Sequence, residues 1–68
     1  MTEEETKIIK RMSDTDDYVV RGTGGHFWAN ESHRGCLIET CSSEEVYIIQ
    51  KLAREGRGIV METKSFRV

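Results

Sequence analysis

The sequence has no proline, only one asparagine (Asn30) and one glutamine (Gln50), and two cysteines, with no Cys-x2-Cys knuckle. Depletion of amides beside eleven Ile and Val follows a trend of hyperthermophile chains, while the lack of loop proline runs against it. Long apolar runs are also missing. Val19-Val20, Phe27-Trp28-Ala29 and Ile59-Val60-Met61 fall far short of the ~20 residues that span a bilayer. The N-terminus opens with Thr2-Glu3-Glu4-Glu5 where a signal peptide would place a basic region and an apolar core. The expectation is a cytoplasmic protein without membrane contact, in which Asn30-Glu31-Ser32 matches a glycosylation acceptor only by coincidence.

A dense basic block is the last absence. Residues 1–17 hold six acids against three bases, residues 18–40 balance, residues 41–55 are net −1, and residues 56–68 set Arg57, Lys64 and Arg67 against Glu62. Nothing here has the charge pattern of a dedicated phosphate-backbone binder.

What is present is 68 residues, 37% hydrophobic and 32% charged, with a net charge of −2, which is the composition of a folded chain. That length fits one small domain, residues 1–68, which buries about 60% of the surface its unfolded chain exposes. Stability is then marginal unless a metal, a disulfide or a partner adds to it, and a deep catalytic pocket does not fit. The protein is therefore expected to be non-enzymatic.

Residues 42–56 carry the clearest local signal. Ser42-Ser43-Glu44-Glu45 is a capping box, Val46, Ile49, Leu52 and Ala53 follow at helical spacing, and Gly56 stands at the usual stop. On the other side of this helix, steps of ~100° per residue bring Tyr47, Lys51 and Arg54 together. Upstream, Tyr18–Arg21, His26–Ala29 and Cys36–Thr40 are rich in strand formers and are separated by loop-like segments, so residues 18–40 form a three-stranded antiparallel meander. Gly22-Thr23-Gly24-Gly25 precedes a strand and not a helix, which makes it a hairpin turn and not a phosphate loop. Residues 58–68 follow as a strand. The acidic segment 1–17 contains Thr6–Met12, ambiguous between helix and strand, and Asp14, Asp16 and Asp17, which suit a solvated loop. The fold class is α+β, with a helix packed on a sheet.

Alternation along these strands places Tyr18, Val20, His26, Trp28, Cys36 and Ile38 on one face, and Val19, Phe27, Ala29 and Leu37 on the other. Both faces are apolar, yet one clear helix covers one face. The second is expected to be closed by the N-terminal segment through Ile8, Ile9 and Met12, by a second copy, or by a target.

Three constellations bear on chemistry. His26, His33, Cys36 and Cys41 supply four nitrogen and sulfur ligands, the set that tetrahedral zinc takes. A strand over 36–40 opposes this, since it holds its ends roughly 13 Å apart. The same separation opposes a Cys36–Cys41 disulfide. Cys41 beside a helix N-terminus is a candidate for a lowered thiol pKa and a Cys/His nucleophile. Arg21, Phe27, Trp28 and Arg34 combine aromatic and basic groups that stack on bases or anchor protein interfaces. A three-stranded sheet followed at once by a helix resembles, in topology, the sheet-reading DNA-binding domains at integrase N-termini, and that resemblance implies nucleic-acid binding.

The leading expectation is a small regulatory or adaptor protein that acts through a protein–protein interface, as a homodimer or on a larger target. Its anchors are Phe27 or Trp28, whichever faces out, with Tyr47, Lys51 and Arg54 as a second patch. A nucleic-acid module using Arg21, Arg34 and the sheet aromatics is the alternative, and a small zinc-binding domain the lesser one.

Overall fold

One four-residue device starts both helices. In the computed structural model, which describes residues 2–30 and 36–68 without the Cys36 side chain, helix α1 spans Glu3–Thr15 and helix α2 spans Ser43–Glu55. The Thr2 Oγ1 accepts from the Glu5 N–H at 3.2 Å, and Glu5 Oε1 accepts from the Thr2 N–H at 2.8 Å. Ser42 and Glu45 repeat the arrangement at 3.2 and 3.1 Å. Each box satisfies two donors that a helix start leaves open. The helices also end alike, on left-handed caps at Asp16 (φ 59°) and Gly56 (φ 69°). The ambiguity over residues 6–12 resolves as helix.

The strands are β1 (Asp17–Gly22), β2 (Gly25–Asn30), β3 (Cys36–Thr40), β4 (Val60–Met61) and β5 (Ser65–Arg67). They form one antiparallel sheet in the order β3-β2-β1-β5-β4. The fold is α+β, with the meander, the helix and C-terminal strand pairing in place. The single strand expected over 58–68 is instead a hairpin of two short strands, and β5 enters beside β1, leaving β4 as the outer edge. No helix among the described residues is long and apolar enough to cross a membrane.

The assignment of residues to sheet faces needs correction. Gly22 pairs with Gly25 across a two-residue turn, so Tyr18 meets Ala29 and Val19 meets Trp28. Even-numbered residues of β1 therefore share a face with odd-numbered residues of β2, and the expected grouping of Trp28 with Tyr18 and Val20 is replaced by Trp28 with Val19 and Phe66. A bulge then shifts the parity once more. Trp28 opposes Glu39 but Ala29 opposes Leu37, leaving Ile38 as the extra residue.

Both helices lie on the Val19/Trp28/Phe66 face. Ile8 and Met12 from α1 join Ile49 and Leu52 from α2, together with Cys41 and Ile59, in one core around those three residues. Val19, Trp28, Ile49 and Leu52 are fully enclosed, and each aliphatic member contributes about 2 kcal/mol by burial. The N-terminal segment thus thickens the cover over the first face and does not close the second.

Candidate functional site

The helix-free face carries Tyr18 and Val20 from β1, Phe27 and Ala29 from β2, Leu37 from β3, Val60 from β4, and Ser65 and Arg67 from β5. Tyr18 and Ala29 are buried, and the Arg67 guanidinium stacks 4.0 Å from the Tyr18 ring centroid. Val20 and Phe27 are half-buried. Leu37 is 56% exposed and Val60 60% exposed, so apolar side chains stand open at both edges of the face, with Ser65 and Arg67 of β5 between Val60 and the rest. Ile38 and Met61, on the same two edge strands, are exposed as well.

The residues singled out from the sequence fall in three places. Phe27 lies on the helix-free face, whereas Trp28 is enclosed on the other, which makes Phe27 the outward aromatic of the pair. Arg21 is exposed on the helix side of β1, opposite His26, and so shares no face with Phe27. Arg34 lies outside the described residues. On α2, Tyr47 and Lys51 line a groove with Glu4, Glu5 and Glu44, and Arg54 is exposed in the last turn.

A polar cluster that sequence reasoning missed ties α1 to three strands. Arg11 Nε donates to Asp17 Oδ2 and Arg11 Nη1 to Glu39 Oε1, both at 2.7 Å. The Arg11 guanidinium also lies 3.9 Å from the Trp28 ring centroid. Asn30 Nδ2 donates to Asp17 Oδ1 at 2.6 Å and to the Thr15 carbonyl at 2.7 Å. Burial works against ionisation of Asp17, but the bonds from Arg11 and Asn30 outweigh it and hold the carboxyl below its ordinary range. Burial likewise disfavours the Arg11 charge, and the two carboxylates outweigh it and raise the guanidinium pKa further. Asp17 is thus buried and bonded, and not part of a solvated acidic loop. No signal of spacing joins positions 11, 17, 30 and 39, because the cluster exists only once the sheet register is set. Both Asp17 oxygens are already engaged, Oδ2 by Arg11 and Oδ1 by Asn30, so the cluster acts as a strut.

Of the zinc quartet, His33 and the Cys36 side chain lie outside the described residues. The other two are joined through the backbone, Cys41 N–H donating to the His26 carbonyl at 2.9 Å. The His26 ring sits 6.2 Å from that of Phe66. Among the described residues no three His, Cys, Asp or Glu side chains gather into a metal-binding group. Cys41 is buried in the core, and burial, with Glu45 and Glu39 adding to it against the opposing charge of Arg11, pushes the thiol up to about 12. This reverses the lowered thiol pKa expected at a helix N-terminus: desolvation outweighs the dipole. A thiol raised in this way is protonated at neutral pH, whereas the thiolate is the nucleophilic form.

Against protein-family models, curated proteins and solved structures, the chain shows no match.

Proposed function

We propose that this chain is a small non-enzymatic regulatory or adaptor protein of the cytoplasm that acts through a protein–protein interface on the helix-free face of its sheet. One observation carries this reading: both helices sit on the same face, and among the described residues no helix lies over the exposed Leu37 and Val60 of the other. Exposed apolar side chains on a helix-free sheet face are characteristic of association surfaces. A second copy of the chain is the occupant to test first. A domain of this size has a marginal core, and packing two such faces together adds the burial that one copy lacks.

Against the nucleic-acid alternative, Trp28 is inside the core, and Arg21 and Phe27 point to opposite faces. Sedimentation velocity of the wild type and of the Leu37→Lys, Val60→Lys double variant tests the proposal. Both positions are exposed, so the variant keeps the fold by circular dichroism. The expected result is a dimer that the variant converts to monomer. A wild type that stays monomeric at high concentration overturns self-association, and a dimer indifferent to both lysines overturns the face.

A further inference from the structure

A groove of about 480 Å³ lies between the first turn of α1 and the outward side of α2. Tyr47 and Ile48 give it apolar surface, and Tyr47 is 65% exposed. Glu4, Glu5 and Glu44 bring three carboxylates to it, against the single ammonium of Lys51. The groove is therefore acidic with an apolar lining.

Glu5 is the member its own fold does not explain. It is 5% exposed, and the capping box accounts for only one of its oxygens, Oε1. Among the described residues its buried Oε2 has no hydrogen-bond donor. Lys51 Nζ forms an ion pair with it at 4.0 Å, outside hydrogen-bond reach. Bonds from the Thr2 backbone and side chain hold this carboxyl below its ordinary value, so the oxygen bears charge at neutral pH. A buried, ionised acceptor with no donor is costly, and a ligand that brings a donor removes the cost.

We propose that this groove receives an arginine side chain from a segment of a partner protein. Its guanidinium would take the place of the half-exposed Lys51 ammonium beside Glu5, whose Oε2 is enclosed in the free protein, and reach the Glu44 carboxylate, with its stem along Tyr47 and Ile48. Arginine is preferred to lysine on two grounds. An ammonium is already present in Lys51 and leaves Oε2 unbonded, whereas a guanidinium carries five donors in a planar fork that reaches two carboxylates and stacks on a tyrosine ring. Lys51 then acts as a competitor for the same charge. The inference rests on the reading of the chain as a protein-binding module and adds the chemistry of what it binds.

The test is a 15N-resolved NMR titration with the capped peptide Ac-Gly-Ile-Arg-Ile-Gly-NH2 and its counterpart carrying Glu in place of Arg. Shifts confined to the amides around Glu5, Glu44 and Tyr47, with the Arg peptide alone, are expected. Glu5→Gln keeps an oxygen for the capping box but presents an amide where the charge was, and should weaken binding about tenfold. Glu44→Gln, at an exposed position that does not threaten the fold, should weaken it about threefold, and Lys51→Met should tighten it about threefold. Absence of localised shifts, equal binding of the Glu peptide, or undiminished affinity in Glu5→Gln would each overturn the assignment. Peptide binding is read on the helix side and self-association on the sheet side, so failure of one is distinguishable from failure of the other.

Discussion

The Arg11 guanidinium lies 3.9 Å from the centroid of Trp28, so the largest enclosed side chain of the core is lidded by a charge. The same guanidinium holds Asp17 and Glu39, which places one residue of α1 in contact with β1, β2 and β3 together.

Arg11→Met should destabilise the fold by about 2 kcal/mol, since it leaves the buried Asp17 carboxylate with Asn30 but without its counter-charge. Arg11→Lys should recover less than half of the loss, because an ammonium cannot bond both carboxylates and stack on the indole at once. Urea unfolding midpoints measure both, and a red shift of Trp28 fluorescence in the folded Met variant would report the lost lid.

Acid should weaken the fold through Asp17. Its folded pKa lies below the unfolded value of about 3.9, so its contribution is complete above that value and is lost as pH falls through the folded one. Glu5, also held low by its bonds to Thr2, acts in the same sense and window. The melting temperature is expected to be flat from neutral pH to about 5 and to drop below about 4. Asp17→Asn should have a lower plateau and a shallower drop, and an unchanged slope in that variant would refute the role.

Cys41 should react with thiol reagents only when the protein unfolds. In a Cys36→Ser background, folded protein is expected to consume no iodoacetamide at pH 7.5, and labelling under mild denaturant should track the unfolding transition. Fast labelling of the native state would contradict a buried thiol with a pKa pushed up to about 12.

Gly56→Ala should cost about 1 kcal/mol, and Gly56→Asn distinctly less. A Cβ at Gly56 meets nothing within 4 Å, so the cost comes from the left-handed backbone (φ 69°) and not from crowding. Thermal melts of the two variants separate these causes, and equal losses would point to side-chain packing instead.

Much of this architecture was legible in the chain because it rests on local signals. Ser42 to Glu45, the apolar spacing of Ile49 and Leu52, and Gly56 defined α2 within a residue of its observed bounds. The same box was written at Thr2 to Glu5, yet α1 stayed ambiguous because Ile8 and Ile9 suit a strand as well as a helix. Faces were harder. A two-residue turn and a bulge at Ile38 each reverse the parity of the alternation; the glycines announced the turn but not its length, and no residue type announced the bulge. The site followed the same division. Tyr47 and Lys51 were visible as a helix stripe, but the contribution of Glu5 from α1 to their groove depends on how the two helices pack. The Arg11 cluster depends on register across three strands, which no window of sequence contains.

The placement of β5 beside β1 sets the order in which this molecule can assemble. Val19 pairs with Phe66, forty-seven positions along the chain, whereas β1, β2 and β3 meet through near neighbours. The meander can zip locally and early, but its first strand keeps an open edge until the last hairpin arrives, after α2 has been laid down. Closure of that long loop, and not formation of either helix, is the step expected to limit the folding rate.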